Sequence, residues 1–349
     1  MLKNRRQFLV TLTTRLLFFC LALILLYLAL SGVNWSAFVR AIATMNTGWV
    51  GVCLVFELVG LLARAYRWNL LLQPQAGRCL FIAFIGEIIG DLGNTFLPAR
   101  AGEAARTLMV ARRLNIGIPF VIGTAITERV GDAVFLSLIA FTMTLLVPQS
   151  PDWLIGAAIV FFIIGIVVLV NISFLGIINK VITPWLQKLP IPKRLLDKIA
   201  DLPKEISVGT QAFIGHPQRF SAYLGLTTVI WVADAAAIMS LANSLGDRLS
   251  IPEAMIFVAG LGLSSAIPST PGYIGIYQYV AVSVLVPFGM NQTHAIALIL
   301  VFQVTVIVQE LFFGGLGWLV LSSGECPGAR GSKHNSTPTD PQKRNRTGI

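Results

Sequence analysis

Between Gly86 and Asp132 the chain carries Glu87, Asp91, Glu103, Arg106, Glu128, Arg129 and Asp132 inside a stretch otherwise apolar enough to lie in a bilayer. Ionisable side chains at that depth are costly and rare, and they face a cavity or one another. Two kinds of chemistry fit these residue types. A guanidinium grips a phosphate through two parallel hydrogen bonds, which makes Arg106 and Arg129 candidates for an anionic group. Glu103, Glu128 and Asp132, with Asp91, would hold those arginines in place or take up a proton. Glu128 and Asp132 stand four residues apart and share a helix face. Arg129 lies one step round that helix, placed to meet Glu103 or Asp91. The structural alternative is an intramembrane salt-bridge cluster that only pins the re-entrant helix. Buried ion pairs stabilise poorly compared with apolar packing, so the retention of this many favours chemistry.

The backbone around these residues is expected to be broken. Gly90, Gly93, Pro98 and Gly102 interrupt the run, and irregular backbone at membrane depth is tolerated only where it is buried in protein or lines a polar cavity. A second interruption has the same form. Leu97-Pro98-Ala99-Arg100-Ala101-Gly102 and Ile267-Pro268-Ser269-Thr270-Pro271-Gly272 both read aliphatic, Pro, three residues, Gly. Each follows a Gly-rich apolar run and precedes a long apolar one. Paired Gly/Pro-interrupted segments in two halves point to a central site between repeats, often inverted ones.

The elements that must position this site are helices in lipid. The 349 residues are 55% hydrophobic and only 12% charged, with a mean hydropathy of +0.77, whereas soluble domains carry about 25% charged residues. The net charge of +10 sits between apolar runs, a pattern suited to an anionic membrane surface; no aromatic-interleaved basic motif suggests nucleic acid. Cys20, Cys53, Cys79 and Cys326 form no C-x-x-C pair, and His216, His294 and His334 are scattered, so no metal site is expected. The basic start before Leu16–Leu30 reads as an uncleaved first helix with a cytosolic N-terminus. Apolar runs follow at 50–72, 80–97, 118–147, 154–178, 220–245, 251–285 and 295–321. Arg64, Arg67 and Trp68 read as an interfacial edge with Glu57 locally satisfied. Arg100, Arg106, Arg112 and Arg113 read as an interfacial helix at 102–114. Asp234 is open between a structural and a functional role, and Glu310 reads as interfacial.

The fold class expected is an all-α integral membrane protein of about eight transmembrane helices, with one or two re-entrant Pro/Gly-broken helices and an internal inverted repeat. Its membrane domain covers 1–321, in halves 1–179 and 219–321 joined by a cytosolic amphipathic segment, 180–218. A basic tail, 322–349, has no apolar periodicity and reads as disordered.

Three ordered blocks, NTFLPARAGEAARTLMV, TERVGD and IPSTPGYIGIYQ, resemble the flippase-like membrane domain of bacterial lysyl-phosphatidylglycerol synthases and their shorter stand-alone relatives. The resemblance covers nearly the whole chain up to about Leu321. It implies a polytopic protein of the cell membrane that moves, or helps move, an amphiphilic lipid between leaflets. On that pattern Pro98, Gly102, Glu103 and Arg106 match the first block, Glu128, Arg129 and Asp132 the second, and Pro268, Pro271, Gly272 and Gly275 the third. Gln278 stands where the family usually has Glu, which removes one carboxylate from the second half. The soluble domain of the synthases has no counterpart in the tail, so aminoacyl transfer is not carried over.

The expected partner is a membrane lipid, an anionic phospholipid or a polyprenyl phosphate, with no nucleic acid and no cofactor; a homo-oligomer or an envelope-synthesis partner is compatible. No Gly-rich phosphate loop suggests an ATPase. The alternatives are an integral-membrane transferase or phosphatase acting on lipid-linked substrates, whose carboxylates would serve as general bases, and a non-catalytic accessory subunit.

Overall fold

The structure, a computed structural model, describes residues 23–97, 100–186, 216–266 and 270–322. Pro98, Pro268, the N-terminal start, most of the segment joining the halves and the basic tail lie outside these residues. The described chain is helical with no strand, as a backbone in lipid requires, because each helix satisfies its own amides and carbonyls. In order the helices are α1 (Leu23–Leu30), α2 (Trp35–Ala43), α3 (Thr47–Ala76), α4 (Leu80–Phe96), α5 (Ala101–Leu114), α6 (Ile118–Thr144), α7 (Asp152–Leu186), α8 (Pro217–Ser244), α9 (Ile251–Ser265), a single 3-10 turn (Pro271–Tyr273), α10 (Ile276–Leu285) and α11 (Gln292–Ser322).

Among the described residues four helices, α3, α7, α8 and α11, are long and apolar enough to cross a membrane. The α1–α2 pair, bent by 82°, makes a fifth if it is one span. About eight spans were expected, and two physical reasons account for the difference. The interrupted segments divide into helices of 17, 14, 15 and 10 residues, each short of the roughly 20 that a bilayer core requires. The 27-residue α6 has the length but carries Glu128, Arg129 and Asp132.

Two interfaces organise the molecule. α3 and α8 run antiparallel: Gly60 and Arg64 meet Asp234 near the middle, and Arg67 meets Thr227 one turn on. α4 and α5 form an antiparallel hairpin whose register follows from its glycines. Gly86 faces Val110, Gly90 faces the Arg106 stem, and a Cβ on Gly93 would lie 2.4 Å from the Gly102 Cα. Small residues at helical spacing let backbones approach this closely in membranes. Gly90, Gly93 and Gly102 were expected to interrupt helices; instead all three lie within α4 and α5 and act as packing surfaces. The backbone departs from the helix at Arg100, which caps α5 with φ 55°.

The second broken segment is built similarly. α9 starts with a Ser250–Glu253 capping box and packs along α10, with Gly260 against Val280 and Val284. Between them the chain turns through Gly272 (φ 67°), Tyr273 (φ 58°) and Gly275 (φ 94°). An apolar core of α6, α8, α9, α10 and α11 residues, including Ile238, Phe257, Val284 and Leu298, supports this half. A smaller one around Trp68, Leu72, Val110 and Phe120 supports the α4–α5 hairpin.

Candidate functional site

The two breaks meet. The Arg100 Nη2 donates to Ser265 Oγ at 3.1 Å, and its guanidinium lies 6.0 Å from the Tyr273 ring centre. Gly272 sits against Thr95. Arg100 and Tyr273 are both non-glycine residues in the left-handed region, a conformation that persists only where surroundings impose it and that clusters at functional sites. A hydrogen-bonded ring holds the second break. Gly275 N–H donates to Gln278 Oε1, Gln278 Nε2 donates to Gln303 Oε1, and Gln303 Nε2 donates to the Gly272 carbonyl, each at 2.7 Å. A carboxylate at 278 could accept from Gly275 but not donate to Gln303, so the amide there is structurally employed.

Between the breaks and the long helices lies a cavity of about 230 Å3, more than ten times the roughly 10–15 Å3 that holds one water. Its wall contains seven carboxylates (Glu57, Glu87, Asp91, Glu128, Asp132, Asp234 and Glu310) and four guanidiniums (Arg64, Arg67, Arg100 and Arg129). All but Arg100, which caps α5, come from helices. On α3 the residues 57, 60, 64 and 67 follow the three-four spacing of one face, with Gly60 leaving room for Asp234. α4 supplies Glu87 and Asp91, α6 supplies Glu128 and Asp132, and α11 supplies Gln303 and Glu310.

Five of these charges, Glu87, Glu128, Asp132, Arg67 and Arg129, join one chain of ion pairs with Glu103 and Arg106. Arg67 grips both oxygens of Asp132, at 2.5 and 2.9 Å, and reaches Glu128 Oε1 at 2.9 Å and Thr227 at 3.1 Å. Glu128 Oε2 accepts from Arg106 at 2.8 Å, and Arg106 also donates to Glu87 at 2.9 Å. The Arg106 Nε lies 2.7 Å from Glu103, and the other Glu103 oxygen accepts from Arg129 Nε at 2.8 Å. The Arg106 guanidinium also lies 4.5 Å from the Trp68 ring centre, a cation–π contact. Arg64 pairs separately with Asp234 at 2.5 Å.

Burial divides the network into a dry back and a wet front. The Arg67 and Arg106 side chains are 2% and 1% exposed, while those of Arg64 and Arg129 are 27% and 39% exposed. Of the residues expected from sequence, Glu103, Arg106, Glu128, Arg129 and Asp132 are joined in the chain. Asp91 lines the same cavity without an ion pair among the described residues. Arg106 does not reach the cavity and does not lie at an interface; it stands behind the wall with its hydrogen-bonding groups directed at carboxylates. Gly272 lines the cavity, Gly275 caps α10, Pro271 opens the 3-10 turn, and Gly102 packs on Gly93.

Several residues of the site were not singled out from sequence. Arg67 and Trp68 are fully buried rather than interfacial, Arg64 turns to Asp234, and Glu310 is buried in the cavity wall. The readable signal for α3 was the stripe itself, with Glu57, Gly60, Arg64 and Arg67 on one face.

The family model for the lysylphosphatidylglycerol synthase TM region matches residues 13–313. The chain belongs to that family. Among curated proteins this family member is 25% identical over 301 residues to the glycosyltransferase AglD of Haloferax volcanii, an alignment covering 77% of the chain and 47% of AglD. It is 22% identical over 240 residues to the UPF0104 membrane protein MJ1078 of Methanocaldococcus jannaschii, covering 65% of the chain and 93% of that protein. The chain thus spans about half the length of AglD and nearly all of MJ1078. The family and the spanning helices together identify a multi-pass membrane protein.

Proposed function

We propose that this protein is a lipid transporter that carries an anionic head group, a phospholipid or a polyprenyl phosphate, between leaflets through the cavity where the two breaks meet. The observation that carries the reading is the wet front of the ion network. Arg129 and Arg64 are the partly exposed arginines of the ion pairs, and Arg100 has no carboxylate partner among the described residues. These three, rather than Arg106, would contact phosphate; Arg106 is a positioning residue that holds Glu103 and Glu128. In this reading α3–α4–α5–α6 and α8–α9–α10–α11 are two inverted repeats of long helix, broken hairpin and long helix. The hairpins enter from opposite faces and their tips meet at the membrane midplane. With α1–α2 and α6 counted as spans, six crossings and two re-entrant hairpins replace eight crossings and place both termini in the cytosol of a cell-membrane protein.

The test is a leaflet assay in proteoliposomes with labelled phosphatidylglycerol and labelled polyprenyl phosphate, lipid masses being read at the end. Arg129→Ala removes a charge-assisted hydrogen bond worth about 1.5–3 kcal/mol, so head-group capture should fall about 10- to 100-fold at unchanged lipid mass. Unaltered transfer in this variant would contradict the assignment. The glycosyltransferase name of AglD favours a second reading, an enzyme acting on a lipid-linked substrate. A changed lipid mass in the same vesicles would decide for it.

A further inference from the structure

The cavity wall holds more carboxylates than guanidiniums, and the excess has a definite location. Glu87, Glu128, Asp132 and Asp234 are ion-paired, whereas Glu57, Asp91 and Glu310 have no guanidinium within ion-pair distance among the described residues. An ionised carboxylate in this setting is costly, and three of them would repel an anionic head group. Two of the three are 5% exposed with one oxygen lacking a hydrogen-bond partner among the described residues, Oε2 of Glu57 and Oε2 of Glu310. Both line the cavity.

Glu57 Oε1 accepts from the Thr305 hydroxyl at 2.7 Å and from the Cys53 thiol at 3.4 Å, which leaves Oε2 as its uncompensated oxygen among the described residues. The charges facing Glu310 come from two helices. Asp91 of α4 and Glu57 of α3 share its sign, and Arg64 of α3 opposes it; Arg64 is already engaged by Asp234 of α8. From α10 the titratable group on the cavity wall is Tyr277, and Tyr273 stacks on it. Among the described residues no group of three or more His, Cys, Asp or Glu could hold a metal ion, so the carboxylates do not converge on a cation.

We propose that Glu310, with Glu57 beside it, is a proton-binding site, and that the proton held there enters together with an anionic head group. Proton uptake forms one O–H bond on the carboxylate and breaks one on cavity water or hydronium, with no change of oxidation state. The neutralised wall then admits a phosphate to Arg129, Arg64 and Arg100, and a singly charged head group with one proton crosses with no net charge. This inference rests on the lipid-transport reading above.

The experiment has two arms on the full-length protein, the wild type compared with Glu310→Gln and Glu57→Gln. In proteoliposomes, a pH gradient should drive labelled phosphatidylglycerol to a steady leaflet ratio of about tenfold per pH unit for one proton per head group, with a matching change in lumenal pyranine fluorescence. Glu310→Gln should lose the response to the gradient, and transfer in that variant that still follows the gradient would overturn the site. Transfer by the wild type that ignores the pH gradient, or follows a sodium gradient at equal pH, overturns the proton site and leaves lipid transport standing. The second arm needs no transport. Infrared spectra of the detergent-solubilised protein should show protonated-carboxyl absorption at neutral pH that loses intensity in Glu310→Gln, and unchanged intensity there would overturn the assignment. If the wild type moves neither lipid, the transport reading and the coupling fail together, and the infrared arm alone upholds or overturns the proton site.

Discussion

Glu128 is the residue on which the network turns, because its two oxygens satisfy two different arginines, Arg67 and Arg106, both buried. Removing one partner of a buried pair leaves the other charge unsolvated and costs about 3–5 kcal/mol. Glu128→Ala should therefore lower thermal stability in detergent markedly. Arg106→Ala should do the same by stranding Glu87. Arg129→Ala, at the wet front, should leave the melting temperature nearly unchanged while reducing transfer. Equal melting losses for Arg106→Ala and Arg129→Ala would contradict the division into back and front. At this scale the sequence was informative where charge lay amid apolar residues, as at Glu103, Arg106, Glu128, Arg129 and Asp132. It was misleading at Arg64, Arg67 and Trp68. A basic and aromatic cluster at the end of an apolar run has the composition of an interface, and only the shared helix face with Glu57 and Gly60 distinguishes it. Glu310 was misread as well: it lies well inside α11, and the sequence of one helix says nothing of which helices surround it.

The α4–α5 hairpin shows what the elements contribute. Its glycines bring two helices into backbone contact, which sets Glu87 against Arg106 and holds Glu103 near Arg129. A side chain on Gly93 or Gly102 meets backbone atoms at 2.4 and 2.0 Å and cannot be relieved by a rotamer change. Gly93→Val is expected to abolish monodisperse protein on size-exclusion chromatography, whereas Gly156→Val, with nothing within 4 Å of the added carbon, should elute as the wild type does. Two well-behaved variants would contradict the close packing. The positions of these glycines were legible, but their role was not. Gly and Pro in an apolar run signal either a break or a close approach, and the partner across the interface decides which. The second break is clearer, because Gly272 and Gly275 do adopt positive φ and the ring through Gln278 and Gln303 holds them.

Across the whole molecule, an all-helical membrane protein follows directly from hydropathy, and the family match bears out the resemblance carried by its three motif blocks. The number of crossings did not follow from hydropathy. Broken segments have the composition of spans without the length, while α6 has the length and too much charge to register as apolar. The central claim is that an anionic lipid places its head group in the cavity between the two breaks. The measurement that tests it most directly is photo-crosslinking with phosphatidylglycerol carrying a diazirine in its head group, followed by peptide mapping. The account predicts adducts on cavity residues such as Tyr277, Gly262 and Leu61, reduced in Arg129→Ala. Adducts confined to outward-facing residues of α7, such as Ile163 and Val167, with none in the cavity, would contradict it.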